Sequence, residues 1–206
     1  MRRGNCVPMI ALCLVLAGCG EATKETTAAQ LRQLYQGDDG CTMVAAVRCD
    51  QEGRAWEGKL RCDYVPDGES TVEVLEPEII AGVKALVSPE SFALSYEGQT
   101  LNIGALTEEE MSPADCLPRL MEALRKGWLL EENREVWNET ECIRLMVDQS
   151  GSGGGKVIST LWLRLEDGAP VHGELAVDEE VIFAVEFTEF EFCGTIANQE
   201  VATSGK

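Results

Sequence analysis

From Cys41 to Phe192 the apolar residues of this chain recur at every second position, in short runs broken by glycine, proline and acidic turns. Met43, Ala45, Val47 and Cys49 alternate with Thr42, Val44, Ala46 and Arg48, and Leu60, Cys62 and Tyr64 alternate with Lys59, Arg61 and Asp63. A period of two sends alternate side chains to opposite faces, so each run predicts a half-buried antiparallel strand, apolar on one side and wet on the other. The pattern continues through Val72 and Val74, then Val83, Ala85 and Val87. Phe92, Leu94 and Tyr96 turn at Glu97-Gly98 into Leu101 and Ile103. It resumes at Trp128 and runs on through Ile143, Leu145 and Val147, then Leu161, Leu163 and Leu165, then Val171, Gly173 and Leu175. In the last run, Val181 to Phe192, the alternation slips a step near Thr188, which predicts a bulge. Short strands with turn signals every eight to twelve residues or so predict one antiparallel meander that curls.

Two segments follow the helical period instead. Thr26 to Gln36 places Leu31 and Leu34 on one side and ends at Gly37-Asp38-Asp39-Gly40. Ser112-Pro113-Ala114-Asp115 predicts a helix start, with Ser112 as cap and Pro113 in the first position. Leu117, Leu120, Met121 and Leu124 then recur at helical spacing, and Gly127 is the expected stop. Such a helix has one apolar stripe, and the apolar face of the sheet is the surface available to cover it.

The N-terminus reads as an address. Arg2 and Arg3 precede an apolar run from Val7 to Ala17, too short to span a bilayer, which takes about 20 apolar residues. Leu16-Ala17-Gly18-Cys19 resembles the lipobox of bacterial lipoproteins, which implies a signal peptide over 1–18, cleavage before Cys19, and acylation of Cys19 by chains of the palmitate kind. At ~0.8 kcal/mol per buried CH₂, two or three such chains hold a protein on the membrane essentially permanently. The expected location is the extracytoplasmic face, with membrane lipid as the first partner.

Charge narrows the remaining partners. Seventeen Lys and Arg against 36 Asp and Glu leave a formal charge of -19, the wrong sign for neutralising nucleic-acid phosphates or docking on anionic lipid. One histidine, His172, excludes sites that need two; alternation pairs it with Glu174 on the wet face, as a solvated side chain. No cofactor or metal site is expected, no catalytic constellation is recognisable, and the expected oligomeric state is a monomer. The run Gly151 to Lys156 lacks the second glycine and the following Ser or Thr of a phosphate loop, and predicts a hairpin loop. The acidic runs at 107–110 and 178–180 read as turn and solubility chemistry.

Six cysteines follow the lipobox: Cys41, Cys49, Cys62, Cys116, Cys142 and Cys193. An even number outside the cytoplasm is compatible with disulfides or with buried thiols. Cys49 and Cys62 fall on the apolar side of neighbouring strands joined by Gln51 to Glu57. They are expected to face each other within disulfide reach.

Several motifs, in order, resemble the LolA/LolB-like lipoprotein carriers and their LppX-type relatives. They are Pro77 to Val83, Leu94-Ser95-Tyr96-Glu97-Gly98, Ser112 to Asp115, Thr160-Leu161-Trp162-Leu163 with Pro170, and Val185-Glu186-Phe187, together spanning about residues 41–192. The resemblance implies a mainly β fold, an unclosed antiparallel half-barrel with an N-terminal helix and one internal helix packed on its concave face. The organisation expected is tether and helix over 19–40, half-barrel over 41–195 and a disordered tail over 196–206. In this family the groove takes lipid or lipoprotein acyl chains, while relatives of the same fold sense mislocalised proteins.

The concave-face candidates for such a groove are Met43, Val47, Leu60, Tyr64, Val74, Leu101, Ile103, Leu120, Met121, Val185 and Phe187, with Met121 closing it. An ordinary dry core would use the same residues. The leading expectation is a membrane-anchored, non-enzymatic binder of lipid or acyl chains. The alternative is a sensor or partner subunit of a membrane complex that transports nothing. Replacing Cys19 with Ser is expected to release the protein or leave an uncleaved precursor, and intact-mass analysis showing no acyl mass on wild-type Cys19 would overturn the address.

Overall fold

A computed structural model describes residues 26–51, 54–104, 111–151 and 155–194; Cys19, the acidic run at 107–110 and the C-terminal tail lie outside them. The described residues form one eleven-stranded antiparallel sheet and two α-helices. A first meander comprises β1 (Cys41–Gln51), β2 (Arg54–Tyr64), β3 (Ser70–Glu76), β4 (Lys84–Ser88), β5 (Ser91–Tyr96) and β6 (Gln99–Gly104). A second comprises β7 (Trp128–Trp137), β8 (Thr140–Asp148), β9 (Val157–Arg164), β10 (Pro170–Val177) and β11 (Glu180–Phe192). Their order across the sheet is β6-β5-β4-β3-β2-β1-β11-β10-β9-β8-β7, so the first and last strands meet in the middle and β6 and β7 form two edges. The sheet is open: an unclosed half-barrel, as expected.

Strand β1 runs against β11 from Cys41 opposite Phe192 to Cys49 opposite Phe183. Val44 faces Glu189 and Ala45 faces Phe187, which leaves Thr188 as the extra residue of a bulge. The hydroxyl of Thr188 donates to Val44 O at 3.0 Å, occupying a carbonyl at the disrupted step. The bulge stands where the alternation slips in sequence, because the slip is the shift that keeps apolar residues facing inward on both sides of it.

The hairpin between β1 and β2 corrects one expectation. Gln51 pairs with Arg54, so the two strands run on to those residues instead of being joined over Gln51 to Glu57. Cys49 therefore faces Trp56, and Cys62 faces Met43. Six strand positions separate Cys49 from the partner of Cys62, ~20 Å at the rise of a strand, beyond disulfide reach. Both are free thiols in the core.

Helix α1 (Ala28–Tyr35) begins at a capping box: Thr27 Oγ1 accepts from Gln30 N–H at 3.3 Å and Gln30 Oε1 accepts from Thr27 N–H at 3.0 Å. Ala28, Leu31 and Tyr35 are buried, whereas Leu34 is 39% exposed. The inward stripe thus continues from Leu31 to Tyr35, at i+4. Tyr35 packs against Phe190 and Phe192 and donates to Gly168 O at 2.6 Å.

Helix α2 spans Cys116–Lys126, beginning three residues later than its sequence signals suggest. Pro113 to Asp115 form a turn, and the proline of the first helical turn is Pro118, where no intrahelical donor is lost. Asp115 stands at the cap, but its carboxylate accepts from Ser112 N–H at 2.9 Å and from Arg119 Nε at 2.7 Å rather than capping the helix. The stripe is as expected: Leu117, Leu120, Met121 and Leu124 are completely buried on the concave face. At the far end Arg32 of α1 donates to Leu124 O at 2.8 Å and Gly127 O at 2.7 Å. A cation there satisfies orphan carbonyls and opposes the negative end of the helix dipole.

Removing Leu120 would leave a hole under α2. Leu120→Ala is expected to cost about 2–5 kcal/mol. Leu101→Ala, at an edge residue 64% exposed, should stay within about 0.5 kcal/mol. Denaturant unfolding of the two variants checks both.

Candidate functional site

The helices occupy much of the concave face. Met43, Val47, Leu60, Leu120, Met121 and Val185 are at most 2% exposed and belong to one continuous core. Val74 and Phe187 pack against that core half-buried. These candidates come together as interior packing beneath α1 and α2 rather than as an open groove. Met121 is part of that packing, not a movable lid over empty space.

The open part of the concave side lies farther toward the β6 edge. A cleft of about 500 Å³ separates the outer flank of α2 from the β2–β3 and β4–β5 turns, within the size range of small-molecule sites. Tyr64 lines it, alone among the sequence candidates, together with Val65, Val87, Phe92 and Pro118. Register continues this apolar wall: Val87 pairs with Phe92, Ala85 with Leu94, and Leu94 with Leu101. Ala85 and Phe92 are still buried, at 2% and 4%, but Leu94 is half-buried and Leu101 and Ile103 are 64% and 49% exposed, so coverage of the concave side thins across β5 and is lost at β6.

The opposite wall is the polar flank of α2. Asp115 pairs with Arg119 and Glu122 with Lys126, both at i,i+4. Burial pushes the Asp115 carboxyl above its usual range, while the Arg119 charge and the Ser112 N–H pull it back. Tyr64 donates its phenol proton to Glu122, and burial with that carboxylate raises the phenol's pKa. Asp67, in the β2–β3 turn with φ 54, is held by Arg125 at 2.7 Å and by Lys126. Hydrogen bonds from those two cations lower its pKa to about 2. The turn is thereby latched to the end of α2 beside the cleft.

Sequence reasoning misses Arg119, Glu122, Lys126 and the turn at 65–70. The one signal for them is the pair of i,i+4 charge couples on the wet side of the helix, which reads as ordinary solubility chemistry.

His172 also departs from expectation. It points to the convex side, as alternation requires, but is only 4% exposed. Trp137 stacks on its ring at a centroid distance of 4.1 Å and 16° between planes, and Trp162 meets it edge-on at 4.8 Å. Alternation assigns a face but cannot show that two tryptophans from other strands roof that face. The loop at 151–156 joins antiparallel strands β8 and β9, as a hairpin should, and Asp178-Glu179 forms the β10–β11 turn with both residues at positive φ.

No protein-family model matches the chain, and no curated protein does. Among solved structures it is similar to a LolA superfamily protein from Nitrosomonas europaea (9% identity, TM-score 0.41), over 81% of this chain and 93% of that one. It is also similar to the lipoprotein LppX of Mycobacterium tuberculosis (9% identity, TM-score 0.43), over 79% and 92%. A third similar structure is an uncharacterised conserved protein from Thermus thermophilus (16% identity, TM-score 0.46), over 80% and 86%. The likeness is one of shape: an open antiparallel sheet.

The Asp67 latch makes a pH prediction. A carboxylate depressed to about 2 adds stability that is complete above its unfolded value of ~4 and is lost as pH falls toward 2. Asp67→Asn should lower the melting temperature at neutral pH. The gap from wild type should close by about pH 2 and narrow in about 1 M salt, since the latch is exposed.

Proposed function

We propose that this chain is a lipid-anchored extracytoplasmic binding protein that lays one acyl chain or similar amphiphile along the cleft beside α2. The single observation behind this reading is the apolar concave strip that runs from half-buried Val87 and Leu94 to exposed Leu101. The helices cover it only in part, and Val87 joins it to the cleft. The tail would lie on that wall, and the polar end would face the charge couples of α2. Burying about fourteen methylenes would contribute ~11 kcal/mol gross. Ordering the chain and leaving one side partly wet remove much of this, so micromolar affinity is the expectation.

A second reading, a sensor or partner subunit that carries nothing, is favoured by the completeness of packing under the helices, where Met43, Val47 and Leu60 are at most 2% exposed. Fluorescent fatty-acid titration of the full chain separates the two. Val87→Glu, at a half-buried wall position, should weaken binding at least about tenfold, and Arg48→Glu on the wet face should leave it unchanged. Equal binding by both variants, or none by the wild type at tens of micromolar or so, would leave the second reading ahead. Val47→Glu is not a usable probe, because it would put a charge into the closed core and unfold the domain.

A further inference from the structure

The two halves of the sheet use their outer faces differently. On β1 to β4 the outward positions carry Arg48, Lys59, Arg61, Asp63, Glu73 and Lys84, the solvated face that alternation predicts. On β8 to β11 the outward positions include Met146, Ile158, Trp162, Ala176 and Val181, brought side by side by register: Ala176 faces both Ile158 and Val181, and Met146 faces Thr160. They floor a trough of about 710 Å³, larger than the cleft beside α2.

One end of this trough is rigid. Trp137, Trp162 and His172 form a three-ring stack there, and Trp162 Nε1 donates to Glu135. Glu186 Oε1 lies 2.8 Å from His172 Nδ1 and Glu174 Oε1 3.4 Å from Nε2. The rim is acidic on balance: Glu135, Glu174 and Glu179 line it against two cations, Lys156 and Arg144, and the guanidinium of Arg144 is already engaged by Glu131 at 2.5 Å and Glu135 at 3.5 Å.

We infer that this trough docks a basic amphipathic helix of a partner protein, its apolar stripe on Met146, Ile158, Ala176 and Val181 and its Lys and Arg against Glu174 and Glu179. Three arguments select that occupant. The floor lies inside the sheet, where each strand is paired on both sides, so an added strand would find no ladder; a helix satisfies its own backbone. From β8 to β11 is three strand spacings, ~14 Å, and a helix with its side chains is ~10–12 Å across. The carboxylate rim, on a chain of charge -19, repels an acidic segment or a fatty-acid headgroup and attracts a basic one.

The test uses the full chain in neutral phosphatidylcholine nanodiscs and a synthetic helical peptide of about 18 residues, with leucines at i, i+3, i+4 and i+7, lysines elsewhere and one benzophenone. Cross-links are expected on β8, β9 or the β10–β11 turn. Val181→Lys, at a position 46% exposed and therefore tolerant of a polar side chain, should weaken binding about tenfold or more. Val87→Glu should not change it, and a peptide with glutamate for lysine should not bind. The proposal is overturned by cross-links confined to the cleft beside α2, by undiminished affinity of Val181→Lys, or by no binding at about 100 μM.

Discussion

Strand β1 pairs with β11 along its length, from Cys41 opposite Phe192 to Cys49 opposite Phe183, and the positions of the other strands follow from that pairing. Each meander can form from local hairpins, but neither alone makes a surface broad enough to receive the helices. Joining the first strand to the last closes the longest loop in the molecule. The entropy of that closure grows only slowly with length, and apolar residues from both meanders offset it once they meet. Phe183, Val185, Val47 and Ala45 meet at this seam, all fully buried. The Thr188 bulge adds local twist there and helps the joined sheet curl around α2.

Curling makes an inside, and the helices determine how much of it remains open. Helix α2 places Leu117, Leu120, Met121 and Leu124 on the centre, and Arg32 of α1 binds its C-terminal carbonyls, so the two helices dock as a linked pair. Coverage thins across β5 and stops short of β6. The two edges differ in chemistry: β7 carries Glu131, Glu132, Arg134 and Glu135, the charged protection expected of an edge, while β6 carries no charge and exposes Leu101 and Ile103. The proposed amphiphile-binding surface and an uncharged edge thus coincide on one wing. The opposite wing presents apolar residues outward, in a trough where three carboxylates outnumber two cations.

Much of this fold is legible in the sequence. Alternation locates the strands that carry the core, the slip at Thr188 locates the bulge, and the stripe of α2 identifies its buried face. The departures have specific causes. Ser112-Pro113 satisfies the local rules for a helix start, yet Asp115 turns its carboxylate to Ser112 N–H and Arg119, and the chain enters helix only at Cys116. Cys49 and Cys62 would meet across a long loop, but strand pairing as far as Gln51 and Arg54 moves them apart in register. The face of His172 is the outer one, which alternation alone assigns to water; Trp137 and Trp162, distant in sequence, exclude that water. The cleft beside α2 is the least legible feature, because Tyr64, Val87 and Pro118 come from three elements whose spacing in sequence says nothing of their distance in space.

Side-chain order along the chain dictates which side of each strand is apolar, where the chain turns, and that acidic side chains outnumber basic ones. Those properties are local, set by side-chain period, turn chemistry and summed charge. Which apolar surface becomes core and which stays accessible is a matter of tertiary packing alone. Met43 and Leu101 occupy equivalent alternating positions on the same concave face, yet one is 2% exposed and the other 64%. The difference is the path of α2 across the sheet, set by how far one helix of eleven residues can reach, and no spacing within a strand encodes that reach.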